Sequence, residues 1–295
     1  MAGMFGSVIT AMVTPFKEND SSLNLERAQE IAAWLLDNGS DALVIAGTTG
    51  EGATLSDQEK IDLFRATVEA AKGKGKIIAG TGTYDTAHSV HLTEEAERAG
   101  VDGVLVVAPY YNKPPQTGLY EHFKTVAAAT KLPVILYNIP GRTAIQISNE
   151  TLLKLAEIDN IKGVKDATGD FTLASELIAA APGDFELISG DDVATFALVC
   201  LGGTGVISVT SHVAGIQMSE MVALAEKGDI DGARKIHSSL LPLYRALFIT
   251  SSPIPVKAAM GLIGQPVGPP RLPLVPATQD EIAAVKKALE ESGVH

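Results

Sequence analysis

Eight short runs of aliphatic and β-branched residues recur along the first two thirds of the chain, and this repetition constrains the fold most. The runs lie at 7–10, 42–46, 76–79, 103–107, 133–137, 161–165, 185–188 and 205–209, and their starts are 20 to 35 residues apart. Most gaps hold an Ala-, Glu- and Leu-rich stretch of helical period, at 25–38, 56–71, 87–99 and 118–130. Alternating strands and helices predict an α/β fold, and eight repeats favour a closed (β/α)8 TIM barrel; an open doubly wound sheet is the alternative.

The pattern changes after about residue 225, where helical stretches follow one another without intervening strands. These stretches lie at 230–249, 255–263 and 278–292, and a proline-rich segment at 265–276 separates the last two. We therefore expect a catalytic barrel at 1–225 and a C-terminal helical appendage at 226–295, packed against the barrel.

Charge and cysteine content exclude several classes of partner. The 295 residues include 35 acidic and 23 basic side chains, a net charge of −12 that repels nucleic acid and anionic membranes. The longest uncharged run, at 193–219, is broken by four glycines, so it predicts a buried helix, loop and strand rather than a membrane span. The only cysteine is Cys200 and no basic residue precedes Lys17, so we expect a cytoplasmic protein without internal disulfides or a signal peptide.

Polar and aromatic residues collect where the predicted strands end. The segments are GTTGE at 47–51, GTG at 80–82, PYYN at 109–112, YNIPGR at 137–142, KD at 165–166 and SGDD at 189–192. In a (β/α)8 barrel all carboxyl ends of the strands lie on one rim, and the loops there carry the chemistry. This distribution favours an enzyme over a structural scaffold.

Lys165 is the most unusual of these residues because it ends an apolar strand, where its charge is costly to desolvate. Burial lowers the pKa of a lysine, and the neutral amine attacks carbonyl carbons to form a Schiff base. The alternative is a strand-end lysine paired with Asp166. Tyr137 shares one strand face with Ile135. If that face is the barrel interior, the Tyr137 hydroxyl lies at the barrel mouth beside Lys165 and could act as a proton shuttle. The alternative is a buried tyrosine whose hydroxyl donates to a backbone carbonyl.

Two further segments suit small anionic ligands. Thr48 and Thr49 lie on a glycine-flanked turn whose hydroxyls and amides could hold a carboxylate, although an ordinary loop has the same composition. Arg142 follows a Pro-Gly pair and could bind a second carboxylate, or lie on the surface. Motifs for dinucleotides, phosphate loops and zinc helices are absent from the sequence, and no histidine or third carboxylate lies near Asp191 and Asp192, so we expect neither cofactor nor metal.

Five motifs in order, at 47–51, 109–114, 137–143, 163–170 and 189–192, resemble the 4-hydroxy-tetrahydrodipicolinate synthase family, long called dihydrodipicolinate synthase. The resemblance runs from about residue 3 to the C-terminal helices. It places the chain in the N-acetylneuraminate lyase superfamily of pyruvate aldolases. It implies a lyase that condenses pyruvate with L-aspartate 4-semialdehyde, the first committed step of diaminopimelate and lysine biosynthesis.

The resemblance also implies a role for each matching residue. Lys165 would form the Schiff base and Tyr137 would relay protons, linked through Thr48 to Tyr111 of a neighbouring subunit. The implied substrate-binding residues are Thr49 for the pyruvate carboxylate, Arg142 for the semialdehyde carboxylate, and the backbones of Gly190 and Ile207. A shared relay implies a homo-oligomer, most simply a tetramer built as a dimer of dimers.

Some positions depart from the family pattern, and other functions stay open. Ser252 stands where many members carry asparagine. Lysine-sensitive members carry glutamate at His88 and often histidine at Lys60, so feedback by lysine is expected to be weak, although Asp57 could compensate in part. The competing functions are a pyruvate aldolase for sugar acids, which Arg142 disfavours, and a catalytically silent barrel, which the complete set of catalytic residues disfavours.

Overall fold

A computed structural model describes residues 3–294, and within that range eight parallel strands close into a barrel in sequence order. The strands are β1 (Val8–Ala11), β2 (Ala42–Ile45), β3 (Lys76–Gly80), β4 (Gly103–Val107), β5 (Val134–Asn138), β6 (Ile161–Asp166), β7 (Glu186–Ser189) and β8 (Val206–Ser208). β8 pairs with β1 and removes the last sheet edge. The predicted TIM barrel is confirmed, and the open doubly wound sheet is wrong.

Twelve α-helices lie within the described residues, most of them between successive strands. They are α1 (Leu25–Asp37), α2 (Asp57–Ala71), α3 (Thr86–Ala99), α4 (Gln116–Ala128), α5 (Pro140–Thr143), α6 (Asn149–Leu155), α7 (Phe171–Ala180), α8 (Thr195–Leu201), α9 (Ser211–Glu226), α10 (Ile230–Ala246), α11 (Ile254–Leu262) and α12 (Gln279–Glu291). Among the helices of residues 3–294, none is both long enough and apolar enough to cross a membrane.

Strand alternation divides the buried side chains into two cores. The inner core fills the barrel and includes Ile9, Val44, Ile135, Tyr137 and Ile207. The alternate residues of the same strands point outward into a larger core shared with the surrounding helices. Tyr137 therefore lies on the inward face with Ile135, as the strand period predicts.

Local sequence signals set the start of α2, which follows the loop after β2. The Ser56 side chain accepts a hydrogen bond from the Glu59 amide, and the Glu59 carboxylate accepts one from the Ser56 amide. This capping box satisfies two amides that a helix start leaves unpaired. It fixes where the loop carrying Thr48 and Thr49 ends.

The C-terminal helices pack on the barrel and reach the rim formed by the carboxyl ends of its strands. α10 packs against α9 and α12, and α11 packs against α9 and α12. The segments on either side of α11 contribute Ser251, Ser252, Pro273 and Leu274 to a cavity at the carboxyl ends of the strands. The C-terminal region thus helps to form the site described next.

Candidate active site

Lys165 lies inside the barrel, near the carboxyl end of β6. It is 6% exposed, and in the strand register it pairs with Tyr137 of β5 and Ile188 of β7. Its Nζ atom lies 4.1 Å from the centroid of the Tyr137 ring. An amine held against an aromatic face, with strands on both sides, is poorly hydrated.

Electrostatics favour the neutral form of this amine. Burial lowers the pKa of Lys165 to about 7, the Asp192 carboxylate opposes that shift, and the positive charge of Arg142 adds to it. Within residues 3–294 no ion pair joins Lys165 to Asp166, whose carboxylate instead accepts a hydrogen bond from Thr168 at 2.9 Å. The alternative of a Lys165–Asp166 pair is therefore wrong.

Tyr137 carries its phenol in the same buried environment. Its side chain is 5% exposed, and burial raises the pKa of the hydroxyl well above the ordinary value for tyrosine. The charge of Arg142 and a hydrogen bond with the Thr48 side chain oppose this shift. The hydroxyl is thus protonated at neutral pH and has a hydroxyl partner, the arrangement that a proton shuttle requires.

A cavity of about 480 Å³ opens at this rim, a size that suits small substrates. Thr48, Tyr137 and Arg142 lie on its wall, together with the apolar side chains of Leu105, Val107 and Ile139. Lys165 is not on the wall itself, and its amine contacts Tyr137, which is. The buried amine therefore lies next to a residue of the cavity wall.

The remaining predicted binding residues lie behind or beside this wall. Thr49 is buried, Ile207 belongs to the inner core, and the Gly190 amide donates to the Asp166 carbonyl at 2.7 Å. None of these three residues lines the cavity. The structure thus brings Lys165, Tyr137, Thr48 and Arg142 together, and it does not place Thr49, Gly190 or Ile207 on the open surface of the site.

Tyr111 lies apart from the other predicted catalytic residues. Its side chain is 91% exposed, its backbone has the left-handed φ of 71°, and it does not line the cavity. Its neighbour Tyr110 does line the cavity and packs edge-to-face on Tyr84, with ring centroids 5.5 Å apart. A tyrosine this exposed is free to contact another molecule.

Asp192 is the functional group whose role the sequence does not reveal. It is 3% exposed, and one carboxylate oxygen accepts hydrogen bonds from the Val209 amide and from the amide and hydroxyl of Thr210. Among the described residues, no cluster of three or more His, Cys, Asp or Glu side chains could hold a metal. Asp192 instead acts on the pKa of Lys165 from the loop after β7, the strand that pairs with β6.

Comparisons with known proteins agree on one family. The model of the Dihydrodipicolinate synthetase family matches residues 4–292. The 4-hydroxy-tetrahydrodipicolinate synthase of Moorella thermoacetica is 53% identical over 290 residues, covering 98% of this chain and 99% of that protein. The synthase of Bacillus subtilis is 47% identical over 288 residues, covering 97% of this chain and 99% of that protein.

Solved structures share the whole fold. The lysine-bound dihydrodipicolinate synthase of Cyanidioschyzon merolae superposes with a TM-score of 0.97 at 44% identity, covering 99% of this chain and all of that one (100%). A dihydrodipicolinate synthase described as the first monomeric variant gives a TM-score of 0.95 at 42% identity, covering 99% and 98% of the two chains. The likeness therefore extends through the barrel and the C-terminal helices alike.

Proposed function

The chain belongs to the dihydrodipicolinate synthetase family, and on this premise we propose that Lys165 forms a Schiff base with pyruvate for condensation with L-aspartate 4-semialdehyde. The product is 4-hydroxy-tetrahydrodipicolinate, and the enzyme is a lyase of diaminopimelate and lysine biosynthesis. The observation that best supports Lys165 as the Schiff-base residue is its buried amine, which has a pKa of about 7 and lies against the Tyr137 ring.

The chemistry follows from the state of the two groups. Neutral Lys165 attacks the ketone carbon of pyruvate, and loss of water from the carbinolamine leaves an imine. The imine withdraws electrons, so the pyruvate methyl loses a proton and the resulting enamine attacks the aldehyde carbon. Tyr137 remains protonated and can donate to and accept from the carbinolamine oxygen, with Thr48 as its partner in the relay.

The two substrate carboxylates need separate positive or donor groups. Arg142 is a cavity-lining cation, and one of its nitrogens donates to the Ser252 carbonyl at 3.4 Å, which orients the guanidinium. We assign it to the semialdehyde carboxylate. Thr49, with the backbones of Gly190 and Ile207, is assigned to the pyruvate end of the site, where the burial of Thr49 and Ile207 suits a substrate already attached to Lys165.

We propose that the enzyme works as a homo-oligomer, most simply a tetramer arranged as a dimer of dimers. The support is the 91% exposure of Tyr111, since a relay residue that lies outside its own cavity can act only on a neighbouring subunit.

We further propose a cytoplasmic location, which a single cysteine without an internal disulfide partner supports.

A coupled assay distinguishes this function from sugar-acid cleavage. Pyruvate with L-aspartate 4-semialdehyde is compared with N-acetylneuraminate and with 2-keto-3-deoxygluconate, at equal enzyme concentration. We expect turnover of the first pair alone. Preferential cleavage of either sugar acid would establish the aldolase alternative, which shares the lysine and the tyrosine but has no need of a cation for the aldehyde substrate.

A further inference from the structure

A buried ion pair joins the loop after β2 to the C-terminal helices. Glu51 follows the Thr48-Thr49-Gly50 segment, and its Oε1 atom lies 2.6 Å from Nζ of Lys257 on α11. The two side chains are only 2% and 3% exposed, respectively. They are 206 positions apart along the chain, so only the tertiary structure brings them together.

The same carboxylate is bound a second time by the segment after α11. Its Oε2 atom accepts a hydrogen bond from the Arg271 amide at 2.8 Å. The Arg271 guanidinium donates to both carboxylate oxygens of Glu59, at 2.6 and 3.0 Å. Lys257 and Arg271 also contact the Phe16 ring, at 4.4 and 4.3 Å from its centroid. We call Glu51, Lys257, Arg271, Glu59 and Phe16 the Glu51 cluster.

The Glu51 cluster holds the loop in a conformation that its own sequence disfavours. Glu51 has φ 55° and ψ 33°, a left-handed conformation that a residue with a side chain adopts only when its surroundings enforce it. The Glu51 amide donates to the Thr48 carbonyl at 3.1 Å, and the Gly52 amide donates to the Gly47 carbonyl at 3.0 Å. Fixing Glu51 therefore fixes the turn that carries Thr48.

Stability alone does not account for such a pair. Desolvating two charges offsets most of their attraction, and a buried ion pair contributes little more than apolar residues of the same volume. Burial lowers the pKa of Lys257, and the nearby Glu51 carboxylate opposes that shift. The pair instead fixes the position of the loop, because Glu51 keeps its short contact with Lys257 only when the loop lies in this place.

We propose that Glu51 and Lys257 are positioning residues, through which the C-terminal helices hold the Thr48 hydroxyl against Tyr137. The inference rests on the proposed function, in which Thr48 and Tyr137 move protons. Lys165 is held by β6 and by the strands on either side of it, so the amount of imine that it forms with pyruvate at equilibrium does not depend on the Glu51 cluster. The relay of Tyr137 and Thr48 sets rates, so the rate of proton transfer and the equilibrium amount of imine should respond differently to a change at Lys257.

The test compares Lys257→Met, Lys257→Arg and the double variant Glu51→Gln with Lys257→Met. Lys162→Met is the control for loss of a lysine ion pair elsewhere on the barrel, because Lys162 on β6 makes an ion pair of the same length, 2.6 Å, with Asp184 near the opposite end. Two quantities are measured with pyruvate alone, corrected for the folded fraction. One is the rate of solvent-deuterium incorporation into the methyl group, which reports proton transfer; the other is the fraction of enzyme trapped by borohydride after equilibration with pyruvate, which reports the imine.

We expect Lys257→Met to lower deuterium incorporation by about 10- to 100-fold, as small misplacements of catalytic groups do, with a much smaller loss of trapping. Lys257→Arg retains the charge and should recover most of the rate. The double variant leaves no unpaired buried charge, so it should regain thermal stability but not proton transfer. Lys162→Met should leave both quantities unchanged.

Equal loss of deuterium incorporation and of equilibrium trapping in Lys257→Met, or full recovery of proton transfer in the double variant, would overturn the positioning role. Hydrogen exchange of the peptide covering residues 47–55 tests the same coupling without any substrate. We expect faster exchange there in Lys257→Met and no change in Lys162→Met. If the wild type neither traps pyruvate nor labels its methyl group, the proposed function fails, and this exchange measurement alone decides whether Lys257 holds the loop.

Discussion

Lys165 and Tyr137 are direct partners in the register of β5 and β6, and the amine of Lys165 lies 4.1 Å from the Tyr137 ring centroid. Backbone pairing therefore sets the distance between the proposed nucleophile and its proposed proton donor. Neither side chain depends on a flexible loop for its place. This rigidity suits a reaction in which the same phenol must serve several successive proton transfers.

Pyruvate followed by borohydride should label the enzyme at Lys165, because reduction converts the imine into a stable secondary amine. Lys165→Ala should lose most of the activity and all of the label. Lys162→Ala is the control, since Lys162 lies on the same strand but pairs with Asp184. Intact mass and peptide mapping give the result, and a label on Lys162 would contradict the assignment.

The rate of imine formation should rise with pH and reach half its maximum near pH 7. The pKa of Lys165 is about 7, and only the neutral amine, which predominates above that value, attacks a carbonyl. Arg142→Ala removes a cation that lowers this pKa, so the midpoint should move to higher pH. Asp192→Asn removes the carboxylate that opposes the shift, so the midpoint should move to lower pH. Trapping rates across a pH series measure each midpoint, and unchanged midpoints in both variants would contradict the electrostatic account.

Arg142→Ala should impair use of L-aspartate 4-semialdehyde far more than reaction with pyruvate. Loss of a hydrogen bond to a charged group is worth about 1.5 to 3 kcal/mol, or roughly 10- to 150-fold in kcat/KM for the semialdehyde. Initial rates with each substrate varied in turn give the comparison, at a pH well above the Lys165 midpoint. Equal damage to borohydride trapping at that pH would show that Arg142 serves pyruvate instead.

Tyr111→Phe should slow turnover while leaving the fold and the assembly intact. The hydroxyl is assigned to the relay of a neighbouring subunit, and the side chain is 91% exposed in the single chain. Sedimentation velocity gives the assembly state, and circular dichroism verifies the fold. A wild-type protein that is a fully active monomer would contradict this role, because Tyr111 does not line the cavity of its own chain.

Lysine should inhibit weakly, with half-inhibition only at about 1 mM or above, equivalent to about 4 kcal/mol of binding. His88 and Lys60 line the cavity beside Asp57, and the Oδ1 atom of Asp57 is 2.9 Å from Nε2 of His88. The carboxylate that could attract the ammonium group is therefore already engaged by a neighbouring side chain. His88→Glu should increase sensitivity to lysine. Inhibition of the wild type at micromolar lysine would refute the charge argument.

Strand and helix positions are predicted from the sequence to within a few residues, because their signals are local. The run at 161–165 becomes Ile161–Asp166, and the stretch at 118–130 becomes Gln116–Ala128. The Ser56 and Glu59 capping box lies at the start of α2, with the three-residue spacing that this motif requires. Boundaries differ because propensity and periodicity do not specify where backbone hydrogen bonds end.

The site is predicted less completely, because its electrostatics depend on contacts between distant segments. Composition and strand position alone identify Lys165 and Tyr137 as unusual. The sequence does not reveal that Asp192 acts on the pKa of Lys165, or that Lys257 pairs with Glu51. It does predict a Lys165–Asp166 pair as the alternative, and the structure contradicts this alternative.

The sequence by itself determines the succession of strands and helices, the inward face of each strand and the rim where the polar residues collect, since all three follow from periodicity along one chain. Only the tertiary structure decides the protonation of Lys165 and the conformation of the loop that carries Thr48. The first depends on desolvation inside the barrel and on Asp192 and Arg142, and the second depends on the C-terminal region, which brings Lys257 and Arg271 to Glu51. Desolvation and Coulomb energy are functions of distance in space, and sequence separation does not give that distance.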